Sequence, residues 1–395
     1  MKDITQRFSK TAKSMQRSAI RELLKFTNNP DVISFAGGFP APDLFPIEKM
    51  KEVACEVLDE DGAKALQYGE TEGDLKLRKL LVERYNRQGF NIDVKNLVIV
   101  TASQQGLDLV SKIFLNRGDK VVCGLPSYLG ALQAFNAYGA NMIGIRYDAA
   151  LDSTLEVLQT LKELPKFIYT IPDFQNPSGV TMSEADRRMV LRIAEKYDVL
   201  VVEDCPYREV RFDGEHIKTM YEIDNSGRVI LLGTFSKIFV PGFRLGWIVA
   251  HEKIIDKIVT AKQSVDLCSP VLDQKIAAKF LEKGYLDQNI PKIIENYRRK
   301  RDGMIAAFEK YMPEGVQWTR PEGGLFLFIT LPDYMDAKDL FDIAIKENVA
   351  FVLGNAFFCD GSGKNTMRIN FSYMSEEMNT EGVKRLATAI RKLMN

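Results

Sequence analysis

The sequence has few of the residues from which metal sites, disulfide frameworks and histidine-based catalytic centres are built. Its 395 residues include 5 cysteines and 2 histidines. They are Cys55, Cys123, Cys205, Cys268, Cys359, His216 and His251. Because no C-x-x-C pair and no H-E-x-x-H motif occurs, the sequence favours neither disulfides, a zinc site nor a histidine triad. Scattered cysteines, odd in number, are typical of a reducing compartment, and we expect a cytoplasmic protein.

The chain also lacks net charge and long apolar runs. Lys+Arg and Asp+Glu both total 53, so no overall charge directs the protein to a nucleic acid or to an anionic membrane. No apolar run is long enough to span a bilayer. The basic, serine-containing segment 1–26 superficially resembles a transit peptide, but it has no apolar core, and we interpret it as part of the mature fold.

What the sequence does contain is an alternation of strand-like and helical patterns. Short β-branched runs predict buried strands at 97–100, 121–123, 167–170, 200–202 and 229–232. Helical patterns separate them. One has Ser127 as a possible N-cap, and another opens at Ser183 with Asp186 in the capping-box position. The alternation predicts an α/β fold, with a mainly parallel sheet covered by helices on both faces.

The pattern changes towards the C-terminus, where a smaller α+β domain is predicted. There the strand-like stretches GGLFLFITL, AFVL and MRINFSY surround and follow a helical one, AKDLFDIAIKEN. We predict a large ligand-binding domain over 46–300 and a small domain over 301–395. The N-terminal segment, 1–45, is expected to join the small domain or to cover the site.

Polar residues cluster just after the predicted strands. Ligands of parallel α/β sheets bind at the carboxyl ends of the strands, so we expect these residues to share one crevice. They are Ser103, Gln104, Tyr128, Asn176, Asp204, Tyr207, Thr234, Ser236 and Lys237. Taken singly, each has a simpler interpretation as a helix cap, a turn residue or a packing residue. Arg368, between Met367 and Ile369, is by itself best interpreted as an exposed strand arginine.

The stretch GTFSKIFVPGFRLGW at 233–247 argues against those simpler interpretations once all of these residues are considered together. Thr234 and Ser236 offer hydroxyls, and Arg244 offers a bidentate cation, for a phosphate. Lys237 follows a buried strand, where desolvation would lower the pKa of its amine and leave it able to bond to an aldehyde. A phosphate cup, a lysine, an acid for a ring nitrogen and aromatic faces are the set that pyridoxal 5′-phosphate (PLP) requires.

Further stretches along nearly the whole chain carry a family resemblance. They are SFAGGFPAPDLFP, LQYGETEG, TASQQGLDL, PSYLGALQAF, PDFQNPSGVT, VVEDCPYREV, RPEGGLFLF and NTMRINFS. With them, the chain closely resembles the fold-type-I PLP-dependent aminotransferases of class I/II, and most of all their 2-aminoadipate/kynurenine aminotransferase group. The set is specific for the family and much less specific for the substrate.

The resemblance implies how the cofactor ring would be held. Lys237 would bond to it covalently, and Asp204 would bind its pyridine nitrogen. Tyr207 and Asn176 would hydrogen-bond its phenolic oxygen, and Tyr128 would stack on its face.

The resemblance also implies a phosphate site, a substrate site and a homodimer with shared active sites. The phosphate would be held by Ser103, Gln104, Ser236 and Arg244, with Thr234 nearby and Tyr68 reaching across from the other subunit. Arg368 would clamp the substrate α-carboxylate, helped by Asn176 and the backbone of Gly38.

The implied activity is ping-pong transamination with 2-oxoglutarate and glutamate as one pair. The other pair would be 2-aminoadipate or a bulky aromatic or aliphatic amino acid. Without the resemblance, Arg21 is best interpreted as a solvated surface arginine. In the resembled group its segment is a lid over the substrate side chain, and Arg21 would there contact a distal carboxylate.

Two alternatives remain open on the same fold. One is a PLP-dependent lyase or decarboxylase, because the cofactor supports all three chemistries. The other is an effector domain that binds PLP without turnover. The match begins by about residue 20, so we expect no N-terminal DNA-binding domain of the kind related regulators carry.

Overall fold

The secondary structure comes from a computed structural model that describes residues 4–15, 31–146, 158–159 and 161–394. The helices are α1 (Lys10–Ser14), α2 (Ile47–Ala65), α3 (Leu75–Arg87), α4 (Ala102–Phe114), α5 (Leu129–Ala137), α6 (Glu184–Tyr197), α7 (Met220–Ile223), α8 (Glu252–Gln263), α9 (Val271–Glu282), α10 (Tyr285–Tyr311), α11 (Ala337–Lys346) and α12 (Glu376–Met394). The strands are β1 (Ile33–Ser34), β2 (Leu97–Thr101), β3 (Lys120–Gly124), β4 (Asn141–Ile145), β5 (Phe167–Thr170), β6 (Leu200–Asp204), β7 (Val229–Thr234), β8 (Leu245–Val249), β9 (Gln317–Trp318), β10 (Phe326–Thr330), β11 (Val349–Ala350), β12 (Val352–Leu353) and β13 (Thr366–Asn370). Short 3₁₀ helices lie at Ile4–Arg7, Pro42–Leu44, Val94–Asn96, Pro241–Phe243 and Gly354–Phe357.

A seven-stranded sheet in the order β2-β8-β7-β6-β5-β3-β4 forms the centre of the larger part. Every pairing in it is parallel except those of β8, which runs antiparallel to both β2 and β7. The predicted strands are β2, β3, β5, β6 and β7, whereas β4 and β8 were not predicted. The predicted α/β class with a mainly parallel sheet is therefore confirmed.

The central strands are buried on both faces, which explains why β2, β5 and β7 contain continuous apolar runs rather than alternating ones. In β5, Phe167 and Tyr169 belong to one core cluster while Ile168 belongs to another. Successive side chains of a strand point to opposite faces. The helix α4 packs across β2, β7 and β8 on one side. The carboxyl ends of the parallel strands and the start of the antiparallel β8 lie at one edge of the sheet, where they form the site.

The C-terminal part contains a four-stranded antiparallel sheet in the order β12-β13-β10-β9. Near it, β1 pairs in parallel with β11, so that Ile33 lies opposite Val349 and Ser34 opposite Ala350. The N-terminal segment thus contacts the C-terminal part of the chain. The long helix α10 runs across residue 300, where the sequence places a domain boundary.

Two helix starts were predicted with different outcomes. The capping box at Ser183 is confirmed, because Ser183 Oγ accepts from Asp186 N and Asp186 Oδ2 accepts from Ser183 N. The N-cap prediction at Ser127 is wrong, since α5 has Tyr128 as its N-cap and no side-chain cap. Ser127 N instead donates to Phe357 O at 2.7 Å, which holds this turn against the C-terminal part.

Within the described ranges, none of the helices combines the length and the apolar character that crossing a bilayer requires.

Candidate active site

The strand ends and the N-terminal segment enclose a cavity of about 300 Å³. The predicted residues that line it are Gly38, Ser103, Gln104, Tyr128, Asn176, Asp204, Tyr207, Thr234, Ser236, Lys237, Arg244 and Arg368. They come from widely separated parts of the sequence, as expected for the crevice at the carboxyl ends of a parallel sheet. The apolar part of the cavity wall includes Phe39, Pro40, Ile171 and Phe326.

Lys237 lies in the turn that follows β7, and its amine faces the cavity. Its Nζ donates a hydrogen bond to Gly38 O at 2.8 Å. Burial, together with the positive charges of Arg368 and Arg244, lowers the pKa of Lys237 to about 8. Near neutral pH, a larger fraction of this amine than of an ordinary lysine amine is therefore uncharged, the form that attacks an aldehyde or accepts a proton.

Asp204 ends β6 and is buried. Its Oδ2 accepts a hydrogen bond from the Tyr169 hydroxyl at 2.9 Å, while its Oδ1 has no partner among the described residues. Burial raises the pKa of Asp204 to about 7, and the Tyr169 hydrogen bond opposes that rise. A buried acceptor without a donor is costly. This oxygen fits a protonated ring nitrogen, whose positive charge would stabilise the carboxylate.

The candidate phosphate cup lies at the N-terminus of the thirteen-residue helix α4. Ser103 and Gln104 belong to its first turn, where backbone N–H groups lack intrahelical acceptors. Thr234 Oγ1 donates to Ser236 Oγ at 2.9 Å, so two hydroxyls face the cavity as a pair. Arg244 has left-handed backbone geometry, with a φ of 53°, at the end of the 3₁₀ turn before β8. These donors and the cation suit a phosphate dianion.

From its sequence neighbours alone, Arg368 was interpreted as an exposed strand arginine. That interpretation is wrong, because only 1% of the residue is exposed. Its guanidinium lies 4.2 Å from the ring centroid of Phe326 and 5.2 Å from that of Phe357. Nη2 donates to Ala36 O at 2.7 Å, and Nη1 donates to Asn176 Oδ1 at 3.0 Å. Its Nε has no partner among the described residues. The fixed guanidinium of Arg368 is therefore suited to bind a carboxylate.

Aromatic side chains and an amide complete the wall. Asn176 Nδ2 donates to the Tyr207 hydroxyl at 3.4 Å, and the Tyr128 hydroxyl donates to Gln104 Oε1 at 3.3 Å. Burial raises the pKa of both phenols, so they remain protonated donors at neutral pH. Each offers a hydroxyl and a ring face to a flat heterocycle.

Among the predicted residues that the structure describes, Tyr68 does not line this cavity. Tyr68 is 79% exposed and lines a separate surface hollow together with Gly69 and Val271. Its role towards another subunit remains a prediction. Arg21 lies outside the described residues.

Sequence reasoning missed several residues that support the predicted ones. Phe326 and Phe357 flank Arg368, Ala36 accepts from it, and Tyr169 holds Asp204. Tyr169 carries a usable signal, because a tyrosine inside an otherwise apolar buried strand needs a hydrogen-bond partner. The other contacts join residues that only the tertiary fold brings together.

These observations fit PLP. The cavity combines an amine with lowered pKa, a carboxylate oxygen that no described residue contacts as a donor, and a hydroxyl-rich helix N-terminus. These would serve the aldehyde, the ring nitrogen and the phosphate of the cofactor. Each feature matches one polar group of the cofactor.

Comparison with known proteins agrees with this geometry. The family described as "Aminotransferase class I and II" matches residues 30–386. Aromatic-amino-acid aminotransferase 1 of Thermococcus litoralis is 48% identical over 99% of this chain and 96% of its own length. Such similarity across the full length favours transamination over the lyase, decarboxylase and effector alternatives.

Two solved structures share the complete fold. The Pyrococcus horikoshii kynurenine aminotransferase, in complex with PMP, has a TM-score of 0.96 and 46% identity, covering 100% of this chain and 99% of that one. The α-aminoadipate aminotransferase of Thermus thermophilus, complexed with N-(5′-phosphopyridoxyl)-L-leucine, has a TM-score of 0.93 and 39% identity over 99% of both chains. The chain belongs to the class I and II aminotransferases and is a PLP-dependent transaminase of fold type I.

Proposed function

We propose that this transaminase moves an amino group between glutamate/2-oxoglutarate and a second pair whose amino acid is 2-aminoadipate or a bulky aromatic or aliphatic one. One observation carries the proposal. The Lys237 amine, Asp204 and the Arg368 guanidinium face a single cavity with apolar walls, and Asp204 Oδ1 has no donor within the described part of the chain. Lys237, Asp204 and Tyr207 are the proposed catalytic residues.

The remaining cavity residues have proposed binding roles. Asn176 and Tyr207 would hold the phenolic oxygen of PLP, and Tyr128 would stack on its ring. The phosphate would be bound by Ser103, Gln104, Thr234, Ser236 and Arg244. In support, both hydroxyls of the Thr234–Ser236 pair and the Arg244 side chain line the same cavity as Lys237.

PLP, when bound, supplies an electron-accepting ring and a carbon that carries the amino group between substrates. Arg368 binds the α-carboxylate, so the Cα–H bond of the amino acid is held in a fixed direction. Lys237, in its neutral form, removes the proton from Cα in one half-reaction and returns a proton to Cα in the other. Asp204, in its ionised form, would accept from the ring nitrogen and thereby hold the proton on that nitrogen. Because one cavity serves both substrates in turn, the kinetics are ping-pong.

The proposed range of substrates is based on the charged and apolar side chains that line the cavity. Its cationic side chains, among the described residues, are Lys237, Arg244 and Arg368, and each already has a role. Apolar walls from Phe39, Ile171 and Phe326 suit a large neutral side chain. A distal carboxylate needs a further cation, and Arg21 is our candidate on the strength of the family resemblance. The relatives named for aromatic amino acids, kynurenine and α-aminoadipate support this range.

A panel of amino donors with 2-oxoglutarate tests this proposal. Each half-reaction is followed by the absorbance of the bound cofactor. We expect glutamate, 2-aminoadipate and bulky neutral amino acids to react. In Arg21→Ala, KM should rise for the dicarboxylic substrates alone, while Arg7→Ala, at an exposed arginine, serves as a control. Equal changes for acidic and neutral substrates would contradict the role of Arg21, and lack of reaction with 2-oxoglutarate would contradict the proposed pair.

We further propose a cytoplasmic homodimer with shared active sites and no nucleic-acid or membrane partner. Leu66, Tyr68 and Leu75 expose 72%, 79% and 47% of their surface. Apolar exposure of this kind is typical of a surface that is covered by a partner. Tyr68 would reach the phosphate of the partner site. The division into 1–45, 46–300 and 301–395 is likewise our proposal, supported by the pairing of β1 with β11.

A further inference from the structure

Tyr169 and Asp204 lie on neighbouring parallel strands. Tyr169 is opposite Val202 in the β5–β6 register, and Asp204 is two residues further along β6. Residues two apart point to the same face of a sheet, so both side chains project to the same side. The Tyr169 hydroxyl lies 2.9 Å from Asp204 Oδ2, and 0% of Tyr169 and 2% of Asp204 are exposed.

The ring of Tyr169 has little freedom to move. It packs edge-on against Phe135, with centroids 5.3 Å apart and an interplanar angle of 75°. Phe135 in turn packs edge-on against Phe167, also at 5.3 Å. A hydroxyl carried by a ring held in this way has a fixed position, and so has the carboxylate oxygen that accepts from it.

The two oxygens of Asp204 therefore differ. Oδ2 is occupied by Tyr169, whereas Oδ1 is buried without a partner among the described residues. A quarter-turn of the carboxylate about its bond to Cβ would break the hydrogen bond to Tyr169. The contact thus fixes the plane of the carboxylate and the position of its second oxygen.

We propose that Tyr169 is a positioning residue for transamination, whose hydroxyl holds Asp204 Oδ2 so that Oδ1 remains the acceptor for the ring nitrogen of PLP. The inference rests on the proposed role of Asp204. It assigns a function to a residue behind the cavity wall, because Tyr169 itself does not line the cavity.

Electrostatics support the same conclusion. Burial favours the protonated form of Asp204, and the hydrogen bond from Tyr169 is what opposes it. The other titratable side chains that share the cavity are Tyr128, Tyr207, Lys237, Arg244 and Arg368. Without the Tyr169 hydroxyl, Asp204 would more readily take up a proton, and the ring nitrogen would lose its anionic partner.

Tyr169→Phe tests the proposal, because it removes one oxygen and keeps the buried ring. The holoenzyme is prepared with PLP labelled with ¹⁵N at the ring nitrogen, and the ¹⁵N chemical shift is followed with pH. We expect the nitrogen to lose its proton at lower pH than in the wild type. We also expect kcat to fall by about ten- to a hundredfold, the range for losing a hydrogen bond to a charged group. Tyr138→Phe is the matched control, since Tyr138 donates to Asp108 Oδ1 at 3.1 Å away from the cavity.

A double-mutant cycle separates this inference from the proposed function. Asp204→Asn alone should shift the ¹⁵N signal and lower the rate more than Tyr169→Phe does. Tyr169→Phe should then add little in the Asp204→Asn background. An Asp204→Asn variant with unchanged ¹⁵N titration and rate would overturn the role of Asp204 itself. If Asp204→Asn has its effect while Tyr169→Phe matches the wild type or the Tyr138→Phe control, or if the two changes are additive, the role of Tyr169 is overturned.

Discussion

The amine of Lys237 donates a hydrogen bond to the carbonyl oxygen of Gly38 at 2.8 Å. This contact joins the turn after β7 to the N-terminal segment, so the amine is held at the cavity by a residue far away in sequence. A carbonyl accepts from a neutral amine as well as from an ammonium. The contact therefore directs the nitrogen without requiring the positive charge that burial disfavours.

The lowered pKa of Lys237 predicts when the apoenzyme can take up its cofactor. Only the uncharged amine bonds to an aldehyde, and its fraction grows as the pH rises through about 8. We expect the rate constant for covalent attachment of PLP to increase with pH and to level off above that value. Stopped-flow absorbance on the apoenzyme measures it. A midpoint near the value of an ordinary lysine, about 10.4, would show that Lys237 is well hydrated.

Removal of the amine should abolish covalent attachment. Lys237→Ala is expected to bind PLP non-covalently and to lose transamination by orders of magnitude, because no group remains to move the Cα proton. Borohydride reduction followed by peptide mass analysis should label Lys237 in the wild type. Lys237→Arg is the control that retains a positive charge without a reactive amine. Turnover at the wild-type rate in either variant would falsify the assigned mechanism.

Arg368→Lys should weaken binding of every substrate to a similar degree. Lysine keeps the charge but loses the planar fork that contacts Ala36 and Asn176 and lies against two aromatic rings. We expect KM to rise by about ten- to a hundredfold for acidic and neutral amino acids alike. Arg320→Lys, at a half-exposed ion pair with Glu309, should leave KM unchanged. A loss restricted to dicarboxylic substrates would mean that Arg368 binds the distal carboxylate instead.

The shared-site hypothesis predicts complementation between two impaired variants. After subunit exchange, a heterodimer of Tyr68→Phe and Lys237→Ala contains one site with both changes and one with neither. We expect the mixture to be more active than the mean of its parents. Steady-state assays before and after exchange measure this, with two Lys237→Ala preparations mixed as a control. The absence of any gain, or a fully active monomer in sedimentation, would contradict the arrangement.

The sequence predicted those strands that are buried on both faces. β5, β6 and β7 begin with continuous apolar runs, because helices cover the sheet on both sides. β4 was missed because it is an edge strand with partly exposed residues and an internal glycine. β8 was missed because its residues follow directly on the proline- and glycine-containing stretch that we interpreted as a binding loop.

The place of a residue in the cavity was predictable where that residue lies at or just after a strand end, as for Asp204 and Lys237. It was not predictable where a contact depends on the register between strands or on packing between distant segments. The link from Tyr169 to Asp204 needs the β5–β6 register. The position of Phe357 beside Arg368 needs the packing of the 3₁₀ turn Gly354–Phe357 against β13.

The hydrogen bond from Arg368 to Ala36 spans 332 positions of the chain. Contacts between residues so distant form slowly, because a long loop must close before the contact stabilises anything. The proposed carboxylate site around Arg368 is therefore expected to assemble late in folding, after the central sheet. During synthesis it must wait until almost the whole chain has emerged from the ribosome. In refolding experiments, regain of helical circular dichroism should precede regain of 2-oxoglutarate binding. Simultaneous recovery of both signals would show that the chain ends meet early, before the sheet is complete.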